Sequence, residues 1–452
     1  MLATHAAPAG AGHVSKGGRV RSWAFAAPRG VWRRRRRRFA ALVLAFAAAA
    51  LVWSEPGLRG RHHLRAAREE SRRYHTPQAI RHLRVCRDLW PHDPEVMLLA
   101  ARAARRAGVY ADSERLLALY ARERGDDAAS AFERLLLDAE CRQDRVVEQC
   151  WKYVEEGRPD ADLLLEALTR GYLRQFRLGM ARRCLDRWKG LQPDNPQMLY
   201  LEGLFHLDYA HAVAPAVESY ARAVELDPEH EDARLGLAVA LLTGKEFARA
   251  AEHLERVRQA QPDNARVRVG LAECRDALGD TAEAVRLVDE VLAGQPHLPA
   301  ALSLRGQLAY QRGQWAEAEA WLREAVRRNP TDNRARYTLV LCLDQTGKAE
   351  EAREQRQQLR QLELDAARFN EIVTKEIALR PADPALHCEL GRLLLRAGQR
   401  EEGLRWLASA LQIDPGYATA RQALAEFQRQ GNLGPGTGPA GSNGATSSFW
   451  QK

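Results

Sequence analysis

The chain has 452 residues, 28% of them charged, and a formal net charge of +9. That charge is lopsided: residues 1–59 carry eleven basic side chains against one acid, Glu55, which leaves the remainder at −1 and excludes a basic nucleic-acid-binding domain. The seven cysteines are odd in number and show no CxxC pair or metal-like spacing, so they read as small buried hydrophobes rather than a disulfide framework.

Residues 1–31 are rich in Ala and Gly with scattered Pro and no period, and are predicted to be disordered. Residues 32–54 form the next segment. Six arginines, Arg33 to Arg38, abut fifteen uncharged apolar residues, Phe39 to Trp53. As a helix those fifteen span about 22 Å, short of a hydrocarbon core of about 30 Å. Snorkelling by Arg38 and interfacial seating of Trp32 and Trp53 extend the reach. The order of charge then apolar run is that of a targeting signal. The first expectation is an uncleaved transmembrane anchor over residues 33–53. The alternatives are an export signal cleaved near Ala48-Ala49-Ala50, or a short buried helix. More basic residues precede the apolar run than follow it, which predicts a cytoplasmic N-terminus and extracytoplasmic repeats.

From about Gly60 a single pattern repeats. Its clearest copy runs from Pro299 to Asp332 and predicts two helices, Ala300 to Arg312 and Trp315 to Arg328, ended by Gly313 and by Asn329-Pro330. Small residues at Gly306, Ala309, Ala318 and Ala325 stand among large ones at Leu302, Leu308, Trp315, Leu322 and Val326. At helical spacing that alternation packs two antiparallel helices closely. Pro193, Pro228, Pro262, Pro296 and Pro330 lie 35, 34, 34 and 34 residues apart; Pro159, Gly125 and Pro91 extend the period backwards, and Pro381 to Pro415 is again 34. Asp or Asn after many of these prolines is placed to cap the next helix. The pattern divides the chain at 60–93, 94–127, 128–161, 162–195, 196–230, 231–264, 265–298, 299–332, 333–380 and 384–417, followed by a cap helix from Ala418 to Gln430. The fifth unit has one extra residue, expected in its turn near Tyr209–Val213.

The ninth unit is seventeen residues too long. Glu350 to Arg380 contains no internal Gly or Pro and keeps apolar residues at Leu359, Leu362, Phe369, Ile372, Val373 and Ile377. It reads as one long helix, or two collinear ones, projecting past the other repeats. Residues 350–380 are either a tolerated insertion or a docking element for a partner or for self-association. Residues 431–452 are Gly/Ser/Pro-rich and predicted to be a disordered tail.

A helix–turn–helix period of 34 is the signature of a repeat solenoid. Gly306, Ala318, Leu322, Ala325 and Pro330 fall where the tetratricopeptide repeat has its small, small, bulky, small and proline positions, so the chain resembles that family over about four fifths of its length. The resemblance implies an all-α fold: a right-handed superhelix of about ten helix pairs over residues 60–430, with one apolar helix before it. It also implies a concave groove, lined by first helices, that holds a peptide or protein partner. Carried onto this sequence, the groove positions are Arg266, Val269, Glu273 and Asp276; Ser303, Gln307, Tyr310 and Gln311; and Arg334, Tyr337, Leu341 and Asp344. These residues serve either recognition or solubility. The family's clamp for terminal carboxylates is missing, since Leu98, Leu235 and Val269 stand where its lysine would be.

No catalytic set stands out. Gly434, Gly436 and Gly438 follow a helix rather than a strand, Gly244-Lys245 and Gly347-Lys348 lack the rest of a phosphate loop, and no histidine pair has metalloprotease spacing. The carboxylates read as belonging to solvated helix faces. The expectation is a non-enzymatic interaction scaffold tethered to a membrane, without cofactor or metal. Its partner is a protein or peptide, not a nucleic acid. The alternative is a structural subunit or assembly factor of an envelope or secretion complex.

Overall fold

The computed structural model describes residues 56–141 and 146–431. The chain divides into two units, Met1–Arg61 and His62–Lys452, and apart from the start of the opening helix the repeats occupy the second. The expected disordered leader, the apolar segment at 33–53 and nearly all of the tail fall outside the described residues. Among the described residues no helix is long and apolar enough to cross a membrane.

Every element among the described residues is helical. In chain order the helices are α1 (Pro56–Arg72), α2 (Thr76–Leu89), α3 (Pro94–Arg106), α4 (Tyr110–Arg124), α5 (Ala128–Cys141), α6 (Val147–Glu155), α7 (Ala161–Arg174), α8 (Leu178–Leu191), α9 (Pro196–Leu204), α10 (Val213–Leu226) and α11 (Glu231–Thr243). Then come α12 (Phe247–Ala260), α13 (Ala265–Ala277), α14 (Thr281–Gly294), α15 (Pro299–Gln311), α16 (Trp315–Arg328), α17 (Asn333–Gln345), α18 (Ala349–Glu371), α19 (Pro384–Arg396), α20 (Arg400–Ile413) and α21 (Ala418–Gly431). Odd and even helices pair into hairpins, and each hairpin leans on the next, the arrangement expected of a repeat solenoid. First helices of neighbouring hairpins also touch one another directly, as α13 touches α15 and α15 touches α17, while second helices do not approach each other as closely among the described residues. The first helices therefore form the inner wall.

The local chemistry follows the sequence. Asp93 accepts from the Val96 amide at 3.0 Å, Asn195 from those of Gln197 and Met198, and Asp332 from that of Ala335 at 2.8 Å. Each satisfies donors left open at a helix start. Gly306 lies against Leu322: a β-carbon there would stand 2.5 Å from the Leu322 Cγ. Alanines and leucines of successive hairpins merge into a continuous apolar core, with Ala301, Leu308, Ala318, Leu322 and Ala325 all buried. Cys86, Cys150, Cys184, Cys274 and Cys342 are buried as well.

Three expectations are corrected. The extra residue of the fifth unit does not lengthen a turn; it is absorbed inside the first helix as a π-helical turn, Phe205–Tyr209, directly after α9. The long helix of the ninth unit does not project. It runs through a second π-helical turn, Ile372–Glu376, and folds back on the chain. Phe369, Ile372 and Val373 are buried there with Phe176, Leu386, Leu390 and Trp406, because a bare apolar stripe is more stable covered than wet. Self-association through residues 350–380 thus loses Phe369, Ile372 and Val373 from the apolar face on which it was argued. Finally, several carboxylates expected on solvated faces are buried, Glu133, Glu140, Glu166 and Asp365 among them.

The turns inside the hairpins show where the chain meets itself. Gly108, Gly279, Gly313, Gly347 and Gly398 adopt φ of 73–90°. At the equivalent positions Tyr74, Phe176, His211 and Lys245 hold the same left-handed backbone, with φ of 63°, 56°, 52° and 63°. Bulky side chains rarely accept that conformation. Three of the four make contacts far along the chain. Phe176 packs edge-on against Phe369, with ring centroids 4.9 Å apart, His211 Nε2 lies 3.3 Å from Asn370 Oδ1, and the Tyr74 hydroxyl donates to Asp162 at 2.6 Å.

Candidate binding surface

The inner wall of α13, α15 and α17 carries the predicted groove residues, in two tiers. Ser303 and Gln307 are buried between helices, with Gln307 Nε2 3.5 Å from Ser303 Oγ, and Val269 packs on the core. The others stand on the wall. Arg334 of α17 pairs with Glu273 of α13, spanning the intervening α15. Gln311 of α15 donates to Asp276 at 3.1 Å, and Asp276 also accepts from Thr281 at 3.0 Å. Tyr310 packs against Trp315 with ring centroids 5.0 Å apart and planes tilted by 59°. Asp344 pairs with Arg356 of α18. Arg266 is exposed and Leu341 half-buried, and Tyr337 is 55% exposed in spite of its apolar ring. The wall therefore offers polar rungs that brace neighbouring first helices and one large amphipathic side chain directed at solvent.

Towards the N-terminal half the same wall turns into a buried charge network that the sequence did not reveal. Arg105 donates to Glu140 at 2.7 Å, and Arg170 donates to the other oxygen of Glu140 at 2.9 Å, which also accepts from the Tyr110 hydroxyl at 2.9 Å. Arg106 donates to Glu166 at 3.0 and 3.1 Å and to the Ser71 carbonyl at 2.7 Å. Glu166 further accepts from Gln197 at 3.1 Å, and the Gln197 carbonyl oxygen lies 3.0 Å from His230 Nε2. Burial pushes the Glu166 carboxyl up, but Arg106, Arg105 and Arg170 outweigh it and hold the group below the usual range. The charged groups and Gln197 are contributed by the successive first helices α3, α5, α7 and α9, with Arg105 and Glu140 35 residues apart and Glu140 and Arg170 30.

Beyond this network the wall holds two carboxyls of a different kind. Asp208 and Asp232 are half-buried, and burial pushes each up to about 6, with Arg266 and Arg170 respectively opposing the shift. Tyr200 is raised by burial first and by Asp232 and Asp208 after it.

Burial raises the thiols of Cys150 and Cys184 to about 12 and those of Cys86, Cys274 and Cys342 to about 11, which keeps them protonated and unreactive at neutral pH. Among the described residues no group of three or more His, Cys, Asp or Glu side chains is placed to hold a metal ion. An outer hollow of about 390 Å³ is lined by Trp151, Tyr172, Arg177 and Arg183, but Arg183 already lies over Trp151 at 4.8 Å and Arg177 over Tyr172 at 5.8 Å.

Two family models described as tetratricopeptide repeat match this region, one over residues 244–308 and the other over 213–265 and 303–362. The chain carries tetratricopeptide repeats. It is 26% identical over 190 residues to Tetratricopeptide repeat protein 1 of Schizosaccharomyces pombe, a match covering 41% of this chain and 16% of that protein. It is 28% identical over 216 residues to a TPR repeat-containing protein of Pseudomonas aeruginosa, covering 46% of this chain and 32% of that one. The chain thus spans less than a third of the length of either relative. A solved tetratricopeptide-repeat structure from Parabacteroides merdae is 16% identical and covers 55% of this chain and 98% of its own, with a TM-score of 0.36. Tetratricopeptide repeats generally mediate protein–protein interactions and are typically non-enzymatic. In this chain the matched repeats include all twelve predicted groove residues.

Proposed function

We propose that the chain is a non-enzymatic scaffold that binds a protein or peptide along the inner wall of α13, α15 and α17 and is tethered to a membrane by residues 33–53. The observation that carries the binding role is the solvent-facing Tyr337 on the helix whose Arg334 forms the rung to Glu273, a wall with aromatic contact area and fixed polar partners. The tether rests on sequence order alone: arginines, then an apolar run, then the repeats. The resulting arrangement places the N-terminus in the cytoplasm and the repeats outside it.

Capture from detergent-solubilised membranes tests both parts. The full chain should sediment with membranes through an alkaline wash and retain a distinct protein that Tyr337→Ala with Arg334→Glu releases. Release of the chain by the wash overturns the tether, and unchanged capture by the double variant overturns the groove. A second reading, a structural subunit of an envelope or secretion complex, is favoured by Leu364 on α18 and Leu379 beyond the π-helical turn that follows it, 58% and 82% exposed. It would show as capture of further assembly components that the groove variant leaves intact.

A further inference from the structure

The turn between α1 and α2 reaches across to helices that follow much later in the chain. Tyr74 donates to Asp162 at 2.6 Å. His75, only 2% exposed, has Nδ1 2.6 Å from Glu70 and Nε2 2.7 Å from Asp227. Gln78 donates to the Glu229 carbonyl at 2.8 Å, and Arg81 donates to Glu231 at 2.7 Å. The receiving edge is acidic at Asp162, Asp227 and Glu231. Tyr74 is buried beside Trp188, ring centroids 6.4 Å apart, and is the one apolar side chain of the hairpin at this contact; the others face α3, where Ala67, Ala79 and Leu83 pack with Ala103, and Leu64 and Cys86 with Val96. Tyr74, over which Arg106 lies at 4.3 Å, is the aromatic anchor of the contact, and it is held on a left-handed backbone that disfavours bulky side chains.

The contact at Phe369 is built the other way, from Phe176, Ile372, Val373, Leu386 and their neighbours. Polar contacts exchange for water when they open, whereas an apolar contact loses its burial outright. We propose that the hairpin α1–α2 is a charge-held strap over the acidic edge at Asp162, Asp227 and Glu231, and that it opens as a unit while the apolar contact at Phe369 stays shut. Its hinge is the α2–α3 junction, and what it covers when closed is a line of carboxylates.

Amide hydrogen exchange on the full chain tests this, comparing the unmodified protein with the double variant Arg81→Gln, Asp227→Asn. Exchange across Thr76–Leu89 should quicken by about tenfold, as expected for losing charge-assisted bonds, while Pro384–Arg396 keeps its protection. Equal quickening in both segments, or in neither, overturns the strap. Should the variant fail to fold, the unmodified protein is measured in about 1 M salt, where screening shortens to about 3 Å and weakens the part-exposed Arg81–Glu231 pair. A rise confined to Thr76–Leu89 supports the strap, and a uniform or absent rise overturns it.

Discussion

Asp208 and Asp232 stand half-buried in the inner wall with no arginine close enough to cancel their desolvation, so each carboxyl is pushed up to about 6 from an ordinary value near 3.8. The folded chain then binds more protons than the unfolded chain between about pH 4 and 6, and stability falls as pH rises through that window. Above pH 6 both groups are ionised and the fold carries the penalty. Asp208→Asn with Asp232→Asn should therefore raise stability at pH 7, by about 1 kcal/mol for each site once solvent exposure is discounted, and leave it unchanged at pH 4. Denaturant melts of both proteins at the two pH values check the sign. Glu166 behaves oppositely: its three arginines keep it ionised, so its contribution is present at neutral pH and lost as pH falls through its lowered value.

The hairpin of α15 and α16 is where sequence and coordinates agree most closely. Gly306, Leu322, Ala318 and Ala325 meet as their spacing implies, and Gly313 ends the first helix with φ of 73°. With 2.5 Å between a hypothetical Gly306 β-carbon and the Leu322 Cγ, there is no room for a side chain unless the helices part. Gly306→Leu should cost roughly 1–3 kcal/mol by overpacking, and an unchanged melting curve would contradict this crossing. The helix of the ninth unit departs from its expected course for a related reason. Its apolar residues announced that something must cover them, but their spacing along one helix cannot say whether the cover is a partner or the chain itself.

The cover is the turns at Phe176 and His211, roughly 160 to 190 residues earlier, together with Leu386, Leu390 and Trp406 after this helix. Phe369→Ala should lose about 3–5 kcal/mol of burial at this contact and, because the repeats unfold through neighbours, lower the denaturation midpoint of the repeats on either side of it. A midpoint that does not move would show the contact to be incidental. One signal for it was visible in the chain: at the left-handed turn position, a glycine in Gly108, Gly279 and Gly313, the residue is Tyr74, Phe176 or His211 where the turn packs on a distant element.

Helix boundaries, caps, the small-against-large crossings and the buried cysteines were all set by local chemistry, since each depends on residues within one 34-residue unit or its neighbour. The π-helical turns, the folded-back long helix and the network of Arg105, Arg106, Glu140, Glu166 and Arg170 were decided only when the solenoid brought separate units together. A charge reads as solvated until a distant helix takes its water away, and an apolar stripe reads as free until a distant turn covers it. Periodicity carries no information about contacts that skip several periods.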